Sequence, residues 1–256
     1  MRRSFLSLLA SFATLALASS ALVQPALACS CVPPAGRFVT QSGALPSDAV
    51  GVVWSTGYND KQPSVHADKI DGAKATPVAI TTQDLGHELL LLRPTRPMKP
   101  GEHYRFTSDA ATIDVTIDAL ALGPLLADAK VVVTKTGRAP LRIAAGASCS
   151  DTFDTDQAKV LLALPDAAKP YLHALLFETT VDGAPWSTRP SICQFPVFGR
   201  SAQALAEDIV FSKCGGRNVV GSVASDGPHQ VALQASLPGT TFATKAASAP
   251  LVLSCQ

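Results

Sequence analysis

Strict alternation of apolar and polar side chains is the dominant pattern along the chain. In TIDVTID, Ile113, Val115 and Ile117 alternate with Asp114, Thr116 and Asp118, which puts apolar groups on one face of a strand and polar groups on the other. HQVALQASL repeats this with Val231, Leu233, Ala235 and Leu237 against Gln230, Gln234 and Ser236. Shorter apolar runs predict further strands at 52–54, 77–81, 89–92, 131–133, 160–164, 175–181 and 251–255, each bounded by turn-forming Gly, Pro, Asp or Asn. Only SAQALAED, 201–208, has helical spacing, for about two turns. Nineteen prolines and seventeen glycines keep the elements short. This rhythm predicts an all-β chain built of β-sandwiches.

The first 28 residues differ in kind. Arg2 and Arg3 precede an apolar stretch from Phe5 to Val23, and Ala26 and Ala28 offer the small side chains a signal peptidase accepts. Residues 1–28 therefore read as a cleaved secretory signal; a retained anchor is the alternative, because the stretch just reaches spanning length. No later apolar run approaches that length. Cleavage takes away two arginines and no acid, lowering the formal net charge from +1 to −1. A near-neutral chain has no basic footprint for nucleic acid and no polybasic segment for anionic lipid. Around Gly123 and Pro124 the run DALALGPLLADAK interrupts the strands. The expected division is a first sandwich over 29–118, a linker over 119–128 and a second sandwich over 129–256.

LPSDAVGVVWSTG followed by ELLLLRPTRPMKPGEHYRFT resembles the bacterial Ig-like domains of surface-layer and other exported proteins, over about residues 45–118. Leu92, Pro94, Met98, Pro100, Gly101, Tyr104 and Phe106 carry the resemblance: an apolar strand, a Pro-Gly turn, then two aromatics on one face of the next strand. It implies a compact spacer or adhesive module without a catalytic site. The second sandwich is more loosely similar to fibronectin-type sandwiches, on strand rhythm alone. CSCVPP at 29–34 resembles the mature start of tissue inhibitors of metalloproteinases. That likeness implies that the α-amine and carbonyl of Cys29 chelate a protease zinc while Cys31 acts as an anchor.

Six cysteines in an exported chain imply disulfides. Cys149–Cys193 and Cys214–Cys255 would keep two bridges within the second sandwich, with Cys255 on the strand face of Leu251 and Leu253. Cys29 and Cys31 would pair with each other or reach the second sandwich, and all fifteen pairings stay open. Cys29 also stands where a lipid anchor would attach, although Ala26 takes the place where Leu is usual. Neither a metal nor a cofactor is expected. Asp151, Asp154 and Asp156 of DTFDTD are calcium-type ligands but lack a binding loop's glycine and terminal glutamate, and the five histidines are dispersed. There is no Gly-x-Ser-x-Gly elbow or phosphate-cradling loop, and oxidised cysteines are not nucleophiles.

His173, set in phase with Leu175 and Phe177, reads as a partly buried structural imidazole on a strand. The turn-rich loop DGAPWSTRP supplies the expected contact surface through Trp186, taken as exposed, and Arg189, because loops carry function on sandwich scaffolds. Together these features predict a non-enzymatic, secreted or periplasmic binding or spacer protein whose partner is another protein or an envelope component. The alternatives are a metalloprotease inhibitor presenting Cys29, and an outer-membrane lipoprotein component.

Overall fold

The computed structural model describes residues 36–56, 64–86, 88–145, 148–187, 206–215, 219, 221–245 and 248–255, excepting the side chains of 148 and 149. The signal-like segment, Cys29, Cys31, Arg189 and Cys193 lie outside these residues, and so does the side chain of Cys149.

Among the described residues the first half has nine strands. They are β1 (Arg37–Phe38), β2 (Gly43–Leu45), β3 (Val52–Ser55), β4 (Val65–Asp71) and β5 (Lys74–Val78). Then come β6 (Ile80–Gly86), β7 (Leu89–Pro94), β8 (His103–Ser108) and β9 (Thr112–Ile117). One sheet has the order β1-β3-β7-β6 and the other β2-β9-β8-β4-β5. The opening strand is split between the sheets, and its second half, β2, runs parallel to β9. This is the immunoglobulin arrangement of a sandwich. Alternation explains the facing surfaces: Val52, Trp54 and Leu92 from one sheet meet Ala67, Tyr104, Phe106, Val115 and Ile117 from the other, all buried. On the outer face, Asp68, Arg105 and Asp114 stand opposite one another across β4, β8 and β9, and Arg105 Nε donates to Asp114 at 2.8 Å.

The strand expected over 77–81 is in fact two. Val78 ends β5 and Ile80 opens β6 in the other sheet, so the chain crosses between layers at Ala79.

The second half contains β10 (Lys130–Ala145), β11 (Ser148–Ala163), a 3₁₀ helix (Asp166–Ala174), β12 (Leu176–Val181) and β13 (Ala184–Pro185). It closes with β14 (Glu207–Lys213), β15 (Gly227–Ser236) and β16 (Ser248–Leu253). Sheets β10-β11-β14 and β13-β12-β15-β16 pack together, a three-on-four sandwich that fits the fibronectin-type reading. The β10–β11 hairpin is far longer than its apolar runs predicted. Its distal half is paired through Thr, Arg and Asp residues, and a bulge at Thr136 with Gly137 at φ 81° bends it. Two local expectations are corrected. Glu207 and Asp208 are strand, not helix, because they pair with Leu161 and Val160 of β11. His173 sits in the 3₁₀ helix rather than on a strand, since extended structure begins only at Leu176.

Between residues 118 and 129 the chain forms one short helix, α1 (Gly123–Leu126). Asp48 of the first half accepts the backbone N–H groups of Leu122 and Gly123 at 3.0 and 2.7 Å, and Leu122 and Leu126 are fully buried. The two halves are packed against each other. Leu176 joins Val53, Leu89 and Leu91, on the outward face of the first sandwich, in one buried cluster. Tyr171 Oη donates to Asp118 at 2.8 Å, and its ionisation is pushed up to about 12 by burial and by that carboxylate. Gly239 is required at this join: a Cβ there would lie 2.3 Å from Leu91 Cδ2, and its φ is 75°.

Candidate functional site

Trp186 is buried, at 3 % exposure, which corrects the expectation of an exposed aromatic. The turn Asp182-Gly183 has positive φ at both residues, folding β13 back onto β12, where Trp186 N–H donates to Thr179 at 2.9 Å. The indole N–H then donates to the Ile209 carbonyl at 3.0 Å and the ring packs edge-on to Phe211 with centroids 5.5 Å apart. Turn-rich spelling concealed a core residue. Trp54, packed edge-on to Phe38 at 4.8 Å, does the same work in the first sandwich.

Cys214 and Cys255 form a disulfide with Cα atoms 4.9 Å apart. Cys255 lies just past β16, and Ser254 N–H donates to the buried carboxylate of Asp156 at 2.6 Å. The bridge and this hydrogen bond tie the final strand to the opposite sheet. Asp156 also meets Lys135 Nζ at 3.1 Å, and Asp154 is held by Arg138, whose Nε lies 2.8 Å away. Two of the three carboxylates of DTFDTD are thus spent on the hairpin's own cations, and Asp151 accepts the Thr152 backbone N–H at 2.8 Å. Among the described residues no group of three or more His, Cys, Asp or Glu is placed to hold a metal ion.

His229 and Asp182 resemble half of a proton relay but do other work. Nδ1 of His229 lies 2.7 Å from Asp182 and Nε2 lies 2.8 Å from the Ser225 carbonyl. Both neighbours are acceptors, so the ring donates twice, as an imidazolium. Burial pulls its pKa down, yet the bonds to Asp182 and Ser225 outweigh it and leave the value raised. Neither nitrogen is left to take a proton from a substrate, so the pair is structural. His173 is half-buried, and burial holds its pKa below the usual imidazole value.

A surface groove of about 690 Å³ lies at the open edge of the first sandwich, between β5 and the loop 95–99. Its floor is a hydrogen-bonded set centred on Glu102. That carboxylate takes Lys69 Nζ at 2.5 Å, Tyr104 Oη at 2.7 Å and the Lys99 backbone N–H at 2.8 Å. Lys69 first, then Tyr104, hold its pKa down to about 2. Burial and the Glu102 carboxylate together push the Tyr104 phenol far above its ordinary value. The arrangement resembles the tyrosine corner of Ig-type sandwiches, in which a tyrosine early in this strand bonds back to the preceding chain, with Glu102 interposed here between the phenol and the backbone. The walls carry Arg96 and Lys99, both exposed, together with Pro77, Val78 and Pro97. Neither Arg96 nor Lys99 enters an ion pair among the described residues. Sequence reasoning passed over these cations, although RPTRPMKPG places a basic residue before a proline three times running, with no acid before Glu102.

No family model matches the chain, and no curated protein matches it. Among solved structures it is similar to tandem Ig repeats of Dlar, at 12% identity and TM-score 0.23, covering 84% of this chain and 96% of that one. It is similar to the BSP domain of a biofilm-associated protein at 8% identity and TM-score 0.22, covering 85% of this chain and 29% of that one. A type I pullulanase from Bacillus subtilis, complexed with maltose, gives 11% identity and TM-score 0.22, over 81% of this chain and 24% of that one. At such scores the fold assignment rests on the strand order itself: an all-β chain of Ig-like and fibronectin-like sandwiches.

Proposed function

We propose that the chain is a non-enzymatic, exported binding and spacer protein, built of sandwiches over 29–118 and 129–256 joined through 119–128. The observation that carries this reading is the join. Leu176 closes over Val53, Leu89 and Leu91, and Tyr171 bonds Asp118, so the sandwiches support one another at a fixed angle instead of swinging on a tether. A spacer has to hold distance, and buried apolar contact between units does that. The Cys214–Cys255 bridge fits an oxidising compartment such as the cell envelope or its exterior. The doubly bonded His229 and the internally paired Asp154 and Asp156 favour structural over catalytic roles for the most suggestive side chains.

Small-angle scattering on the purified chain tests the spacer role: a single rigid two-unit shape is expected, and a distribution of inter-unit angles would overturn it. Saturable turnover of ester, peptide or glycoside probes would overturn the non-enzymatic part.

A further inference from the structure

The groove beside Tyr104 is built for more than closing the sandwich edge. Three cations line it, Lys69, Arg96 and Lys99, against one carboxylate, Glu102. Lys69 is consumed by Glu102, which leaves the Arg96 and Lys99 side chains as exposed positive charges on the wall. The walls also carry Pro77, Val78 and Pro97, whose apolar surfaces have no charge to satisfy. We propose that this groove binds a linear polysaccharide bearing carboxylates, with Arg96 and Lys99 holding the carboxylates and the prolines and Val78 receiving the carbon–hydrogen faces of the sugar rings. This names a ligand class for the binding role proposed above and rests on that role.

Two features favour a glycan over an acidic peptide. Peptides that dock on a sandwich edge add a strand through main-chain hydrogen bonds. Here the edge strand β5 has five residues, with Pro77 within it, and proline cannot donate to such a ladder. The neighbouring backbone donors are also engaged, Thr95 N–H by Ala79 at 2.9 Å and Lys99 N–H by Glu102. Recognition therefore falls to side chains. A guanidinium presents a planar fork that matches a carboxylate, and a flexible ammonium three residues away tolerates variable spacing along a polymer.

The test is calorimetric titration of the full chain with oligogalacturonate, an uncharged oligosaccharide of similar length, and polyglutamate. Binding of the oligogalacturonate alone is expected, weakening as salt is raised. The double variant Arg96→Gln/Lys99→Gln should lose at least about tenfold in affinity, equivalent to about 1.4 kcal/mol, with an unchanged melting midpoint. Arg96→Lys, which keeps the charge and removes the fork, should lose part of that. No binding of oligogalacturonate, or binding indifferent to the double variant, overturns the inference. Equal binding of polyglutamate assigns the groove to acidic peptides and overturns the glycan assignment, and equal binding of the uncharged oligosaccharide overturns the role of the cations. Failure here leaves the rigid-spacer reading standing, because scattering tests that reading without any ligand.

Discussion

Replacing Leu176 with alanine should uncouple the two sandwiches. The side chain is nearly fully buried and packs on Val53, Leu89 and Leu91 across the join. Losing three carbons costs about 2.4 kcal/mol at roughly 0.8 kcal/mol per methylene, and a cavity that cannot collapse raises the loss to about 3–5 kcal/mol. At roughly 2–4 °C per kcal/mol for a chain of this size, the melting midpoint should fall by about 6–20 °C. The chain carries its own reporters, since its two tryptophans are Trp54 in the first sandwich and Trp186 in the second, both buried. Trp54→Phe and Trp186→Phe variants each leave one reporter, and urea titrations followed by fluorescence then read each sandwich separately. With Leu176 in place the two midpoints should coincide, the mark of a cooperative unit. In the Leu176→Ala background both should fall and separate. If the variant moves only the Trp186 midpoint, or if the midpoints already differ with Leu176 present, the cross-unit role assigned to this leucine is wrong.

Three further outcomes are expected. Reducing the Cys214–Cys255 bridge, whose cysteines are 41 residues apart, should cost about 4 kcal/mol on the loop-entropy account; denaturant midpoints that do not move with and without reductant would contradict this. His229 has a raised folded pKa, so its contribution is complete below the unfolded value of about 6.5 and is lost as pH rises through the folded value. Thermal midpoints of the wild type should thus fall, relative to His229→Gln, as pH rises above about 6.5, and parallel curves would refute the imidazolium assignment. Glu102 has the opposite sign: its contribution is present above the unfolded value of 4.5 and disappears as pH falls toward about 2. Glu102→Gln should flatten that part of the acid limb, as followed by circular dichroism against pH.

The strands were legible wherever one face is apolar and the other polar. TIDVTID became β9, and the alternation of HQVALQASL became the body of β15. What failed to show was order that depends on distant partners. The far half of the β10–β11 hairpin carries Arg138 against Asp154 and Lys135 against Asp156, pairs that look like solvated charge until the register is known. VHADKID was overlooked as a strand for a similar reason, since its Asp68 finds Arg105 only across the sheet. Trp186 was misplaced because turn residues flag a loop without saying which way the next side chain points. The groove cations were missed because a near-neutral total conceals a local excess: Arg96 and Lys99 are offset by acids elsewhere on the chain. The Cys214–Cys255 bridge expected from the sequence is formed in the structure.

The parallel pairing of β2 with β9 has a mechanical consequence. These strands lie near the two ends of the first sandwich and are matched at Gly43 with Val115, Ala44 with Thr116 and Leu45 with Ile117. When the ends of that sandwich are drawn apart, parallel neighbours slide past each other, so their hydrogen bonds share the load in shear instead of opening one at a time. The Asp118 N–H bond to the Leu45 carbonyl at 2.8 Å extends the same clamp by one residue. Resistance to pulling is a property of the unfolding rate and not of equilibrium stability, and in this fold it is vested in a strand of only three residues.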